Sequence, residues 1–105
     1  MAIDVTESTF EAEVINAEVP VVVDFGAKWC GPCRKLGPVL DEIETLLEGK
    51  AKIVKVDADE NREIMKKYSI SGLPSLLVFK NGEPVERMAG LVPKSTIISN
   101  VEKHI

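Results

Sequence analysis

Cysteine, histidine and aromatic residues are all scarce in this chain, which has two cysteines, one histidine and five aromatic side chains among 105 residues. Two cysteines are too few for a disulfide scaffold, which needs several bridges to stand in for a core. No apolar run approaches the ~20 residues of a membrane span. There is no basic excess either, since 13 basic and 17 acidic residues give a net charge of −4 spread along the chain. That argues against a nucleic-acid or anionic-membrane binder, both of which show a basic face. The start, Met1-Ala2-Ile3-Asp4-Val5, has neither a basic n-region nor an apolar h-region, so no secretory signal is expected. A Gly-x-Gly-x-x-Gly turn is also missing, which excludes a nicotinamide or flavin site of the chain's own. The expectation is one acidic, soluble, cytoplasmic, monomeric domain over residues 1–105, with 45% hydrophobic residues to build its core.

Both cysteines lie within Trp29-Cys30-Gly31-Pro32-Cys33, after the apolar run Val21-Val22-Val23-Asp24-Phe25 and before a helical pattern. Thiols two residues apart at a strand–helix junction suit reversible dithiol–disulfide chemistry. The sulfurs can join with little backbone movement, and a helix start favours the thiolate that attacks disulfides. A purely structural bridge is a poor alternative, because so short a loop stabilises little. Half of a zinc site is no better, because the only histidine, His104, lies at the far terminus.

The remaining pattern reads in order. Thr6 and Ser8 are candidate N-caps, Ser8 and Glu11 have capping-box spacing, and Phe10 and Val14 share a face of a first helix ending near Ala17. Pro20 opens a strand through Phe25, apolar enough to be covered on both faces. From Pro32, Leu36, Leu40, Ile43 and Leu47 recur at helical spacing until Gly49, and Pro38 is expected to kink this helix near Gly37. Ile53 to Asp57 is the next strand, and Asp59 is placed to cap a helix that turns Ile64 and Tyr68 inward. Ser75 to Phe79, the Asn81-Gly82 turn and Val85 to about Ala89 form a hairpin, with Pro84 tolerable only at a strand start or edge. After Pro93, the residues Ile97, Ile98, Val101 and Ile105 mark a closing helix, while Met65 and Met88 read as core or surface. The order strand, helix, strand, helix, strand, helix, strand, strand, helix predicts an α/β fold. Its central mixed sheet combines a β-α-β half with an antiparallel hairpin and carries helices on both faces.

Trp29-Cys30-Gly31-Pro32-Cys33 after Val23-Asp24-Phe25, with Gly72-Leu73-Pro74-Ser75 downstream, resembles the thioredoxin family. The resemblance spans essentially the whole chain, taking in Lys55-Val56-Asp57, Lys80-Asn81-Gly82 and Gly90. It implies a thioredoxin-like fold and protein-disulfide reductase activity. One departure stands out: Gly26 occupies a position where many members carry tryptophan. Losing that aromatic is expected to open the surface beside the site and to bear on partner choice.

Within the pair, Cys30 sits at the helix start and is expected to be the exposed attacking nucleophile. Cys33, one turn on and more shielded, resolves the mixed disulfide. Gly31 leaves room for an incoming disulfide, and Pro32 suits a first helical turn that needs no N–H. Asp24, a carboxylate in an apolar strand, should have a raised pKa. By itself it reads equally as an ordinary half-buried acid beside a solvent-filled gap. The resemblance implies that it relays a proton, through water, to or from Cys33, with Lys55 on the next strand modulating its charge. The resemblance also implies a cis Leu73-Pro74 bond, with the Leu73 backbone pairing to extended substrate. Trp29, Leu73, Pro74, Gly90 and Leu91 would then form a shallow apolar surface around Cys30.

The expected function is therefore a general protein-disulfide reductase with no cofactor beyond its redox-active Cys30–Cys33 disulfide. Electrons would come from a thioredoxin reductase-type donor protein and pass to disulfide-containing targets. Two alternatives from the same residues are a thiol oxidase or isomerase of the same fold, and a non-catalytic binding subunit.

Overall fold

A computed structural model describes residues 2–105. The elements are β1 (Ile3–Asp4), a π-helical segment (Glu11–Ile15), β2 (Val21–Gly26), α1 (Gly31–Leu46), β3 (Lys52–Asp57), α2 (Arg62–Lys67), β4 (Ser75–Lys80), β5 (Glu83–Ala89) and α3 (Lys94–Glu102). One five-stranded sheet has the order β1-β3-β2-β4-β5. β1 and β2 run parallel to β3, whereas β4 is antiparallel to both β2 and β5. The parallel half and the antiparallel hairpin thus share β2, the strand that leads into the cysteines.

Alternation along β2 sorts its side chains between two cores. Val22 points to the face covered by Leu36, Leu40 and Ile43 of α1 and Ile97 and Val101 of α3. Val21, Val23 and Phe25 point to the opposite face, with Phe10, Val14 and Ile64. Phe10, Tyr68 and Phe79 join their rings there at centroid separations of 5.1–5.6 Å. Burying each such valine or phenylalanine contributes about 1.5–3 kcal/mol. Asp24 shares the α1 face with Val22, so a carboxylate is carried into the interior on a strand that is apolar everywhere else before Gly26.

The hairpin turn forms as read, with Asn81 at φ 53° and Gly82 at φ 80°. Pro84 sits on the edge strand β5 opposite Phe79, next to a register shift, where its missing N–H breaks no ladder. α1 continues through Pro38 to Leu46, and Gly49 follows with φ 80°.

Several local expectations are corrected. No bond joins Ser8 to Glu11; the Thr6 N–H donates to Thr9 Oγ1 at 3.0 Å, and the turns that follow widen into a π-helical segment through Asn16 N–H to Glu11 O. Asp59 does not cap α2, whose N-cap is Asn61, because its carboxylate is taken up elsewhere. Ile105 lies beyond α3 and is exposed, since the helix ends at Glu102 before its face can reach that far. β5 begins at Glu83, because the tight turn lets pairing start at once.

Candidate active site

The end of β2 and the start of α1 set the geometry. Ala27 O accepts from Cys30 N–H at 3.1 Å, closing the turn that carries the chain from strand to helix. Cys30 is the N-cap of α1, and Pro32 occupies the first turn. Cys30 and Cys33 are joined as a disulfide with their Cα atoms 5.3 Å apart. The backbone N–H of Cys33 donates to Cys30 Sγ at 3.2 Å, so one of the free N–H groups of the helix start is aimed at that sulfur. An ideal Cβ on Gly31 would meet nothing within 4 Å, which leaves that approach open.

The exposure order expected for the pair is reversed in the disulfide. Cys30 is 5% exposed, whereas Cys33 is only partly buried. The reason is that Cys30 is folded into the turn as the helix cap, while Cys33 borders a pocket.

That pocket, about 370 Å³, lies between α1 and the ends of β2 and β3 and is bordered by Asp24, Gly26, Cys33, Gly37, Lys55 and Asp57. Asp24 and Lys55 are register partners on adjacent strands and face the same side of the sheet. Lys55 Nζ reaches under α1, 3.9 Å from where a Cβ on Gly37 would stand. Asp24 is 5% exposed, and its Oδ1 has no hydrogen-bond partner. Burial raises its pKa from the ordinary 3.8 to about 6, with the Lys55 ammonium pulling the other way.

The Leu73-Pro74 bond is cis, as the resemblance implied. Pro74 is buried and its carbonyl accepts from Gly90 N–H at 2.9 Å, which ties Gly90 to that loop. Leu91 follows, 52% exposed, and Trp29 is 68% exposed. Leu73 is half-buried against the Phe10 side of the core. Trp29 is held by a bond from its Nε1–H to Asp59 Oδ2 at 2.8 Å. Arg34 Nη1 donates to Lys28 O at 2.8 Å and so pins the segment before Trp29. Neither Asp59 nor Arg34 emerged from the sequence as part of the site. Asp59 is 30 residues from Trp29 and has no local signal, whereas Arg34, one turn after Cys30, was within reach of helical spacing.

Among the described residues no three of His, Cys, Asp and Glu converge as metal ligands, and no helix is long and apolar enough to cross a membrane. The chemistry on offer is that of sulfur and protons: a disulfide whose Cys30 sulfur receives a backbone N–H, and a protonatable carboxylate on the pocket that the other sulfur's residue borders.

Comparison with known proteins agrees. The family model described as Thioredoxin matches residues 1–103. The chain is 50% identical over 104 residues to Thioredoxin 1 of Nostoc sp., covering 99% of this chain and 97% of the relative. It is 46% identical over 101 residues to the thioredoxin of Synechocystis sp., covering 96% and 94%. It is 44% identical to the thioredoxin of Rickettsia felis over the full length of both. Matches of this extent, on a chain with this disulfide at this junction, place it in the thioredoxin family of protein-disulfide oxidoreductases.

Proposed function

We propose that residues 1–105 act as one cytoplasmic, monomeric domain that runs the exchange in the reducing direction. Reduction frees the Cys30 side chain from the S–S bond, and its thiolate then attacks a target disulfide to form a mixed disulfide. Cys33 attacks Cys30 Sγ, releases the reduced target and restores the intramolecular disulfide. Asp24 takes the Cys33 proton, through water, as that sulfur becomes a nucleophile. A carboxyl pKa of about 6 suits the task, being closer to the working pH than an ordinary aspartate's. Lys55 keeps that pKa from climbing further. Gly31 and Pro32 tune the junction, one by leaving space and the other by fitting the helix start.

Targets are held by Trp29, Leu73, Pro74, Gly90 and Leu91. This surface offers exposed apolar area and backbone groups rather than a shaped pocket, which suits many protein disulfides. Electrons arrive from a separate reductase protein and leave to target proteins, so the domain serves in electron transport with no resident cofactor. The observation that carries this reading is the Cys33 N–H aimed at Cys30 Sγ, which favours negative charge on the sulfur that must start the exchange.

The test is reduction of insulin disulfides with candidate reductases supplied in turn, using the parent chain, Cys30→Ser and Cys33→Ser. Turnover in the parent and none in either variant is expected. No turnover in the parent, with partner binding retained in both serine variants, would leave only a binding role, and turnover in a serine variant equal to the parent's would take the exchange away from this pair. A potential far above that of reducing members would mark an oxidase or isomerase instead, about 30 mV being worth about 1.4 kcal/mol in this couple.

A further inference from the structure

We infer that Gly26 opens a second entrance to the disulfide, through which a low-molecular-weight thiol attacks Cys33 rather than Cys30. A Cβ at position 26 would stand 3.3 Å from Cys33 Cβ and 3.4 Å from its Sγ. Any side chain there fills the space in front of that sulfur; glycine leaves it empty. The space belongs to the pocket of about 370 Å³, which Cys33 borders and Cys30 does not. That volume holds a thiol of amino-acid size and is far too small for a protein segment.

Two further observations point the same way. Asp24 Oδ1, nearly fully buried and without a partner, lies 3.8 Å from the same Cβ position, so an unpaired acceptor faces the space a thiol would enter. Cys30 is also the better leaving group, because its sulfur already receives the Cys33 N–H at the helix start. A thiolate stabilised in that way departs faster, which directs attack to the other sulfur. Access and leaving-group stability therefore select Cys33 together.

A neutral thiol enters, gives its S–H proton to the Asp24 carboxylate and attacks Cys33 Sγ; a new S–S bond forms, and the Cys30–Cys33 bond breaks with its electron pair on Cys30. A second thiolate attacks the outer sulfur of the adduct. The small disulfide departs and Cys33 leaves as a thiolate that takes up a proton. Two thiols are oxidised and one protein disulfide is reduced.

The inference rests on the exchange chemistry proposed above and is tested separately from it. Oxidised protein is partly reduced with 2-mercaptoethanol, quenched in acid, alkylated with a maleimide and mapped by peptide mass spectrometry. The expected product carries 2-mercaptoethanol on Cys33 and maleimide on Cys30. Gly26→Phe should slow this reduction about tenfold and Gly26→Ala by less, since access to the attacked sulfur sets the rate. Should the phenylalanine variant fail to fold, the alanine variant decides. An adduct on Cys30, or variants reduced as fast as the parent, overturns the inference. Failure of the parent to reduce insulin would instead strike the reductase reading itself.

Discussion

Replacing Asp24 by asparagine should convert a pH-dependent cost into a constant one. The carboxyl titrates at 3.8 in the unfolded chain and at about 6 in the fold, because burial penalises its charged form more than Lys55 relieves it. A folded pKa above the unfolded one means that this group favours the fold most below pH 3.8, and that the advantage is lost as pH rises to about 6. At about 1.4 kcal/mol per pH unit, the ionised form costs the fold about 3 kcal/mol at neutral pH and above. That is the contribution of one or two buried valines, and β2 supplies more than that around it. Asparagine carries no charge, but its amide meets the same lack of partners as Oδ1, a penalty of about 1–3 kcal/mol that does not vary with pH. The signature is therefore the pH slope rather than the absolute gain. Urea unfolding of both oxidised proteins, followed by the fluorescence of the single tryptophan, Trp29, reads that slope. The Asp24→Asn variant should gain on the parent by about 3 kcal/mol between about pH 3.5 and pH 8. Most of the gain should accrue below about pH 6, and other titrating groups cancel because both proteins share them. A difference that is flat with pH would refute the buried, reluctant carboxylate. The same variant should slow release of the second target thiol, which single-turnover mixing with a model disulfide would measure.

Two further outcomes follow from the pocket and its rim. Lys55→Met removes the ammonium that lowers the Asp24 pKa, so the carboxyl should titrate above about 6 by carbon-13 NMR; an unchanged or lower value would remove Lys55 from the site. Asp59→Ala frees the Trp29 ring, and because that bond is exposed it should cost less than about 1 kcal/mol of stability. The KM for insulin should nevertheless rise severalfold, since an anchor held in place loses less freedom on binding; an unchanged KM would make the bond a surface ornament.

The parts of this molecule that were legible in its sequence are those with a local physical signature. The apolar run of β2, the helical spacing from Leu36 to Ile43 and the Asn81-Gly82 turn each specify their own backbone, and the cysteine pair marks its own junction. Asp24 announced its raised pKa by standing alone in an apolar strand. The cis bond at Leu73-Pro74 came from family resemblance, because a proline alone says little about its isomer. What stayed hidden was set by tertiary contact. The predicted order opens on a strand without residues assigned to it, because two exposed residues, Ile3 and Asp4, form β1 only where β3 offers an edge. Asp59 serves Trp29 across the fold instead of the helix beside it. The accessibility of the two sulfurs depends on the turn at Ala27 and on the empty space at Gly26, neither of which has a periodicity to read.

Everything proposed for this domain turns on a reactive thiolate at position 30. Fully reduced protein, treated with limiting iodoacetamide at neutral pH and mapped by peptide mass spectrometry, reports it directly. Cys30 should be alkylated well ahead of Cys33 and faster than free cysteine, because its sulfur receives an N–H from the helix start. Alkylation of Cys33 first, or a Cys30 rate no greater than that of free cysteine, would contradict it.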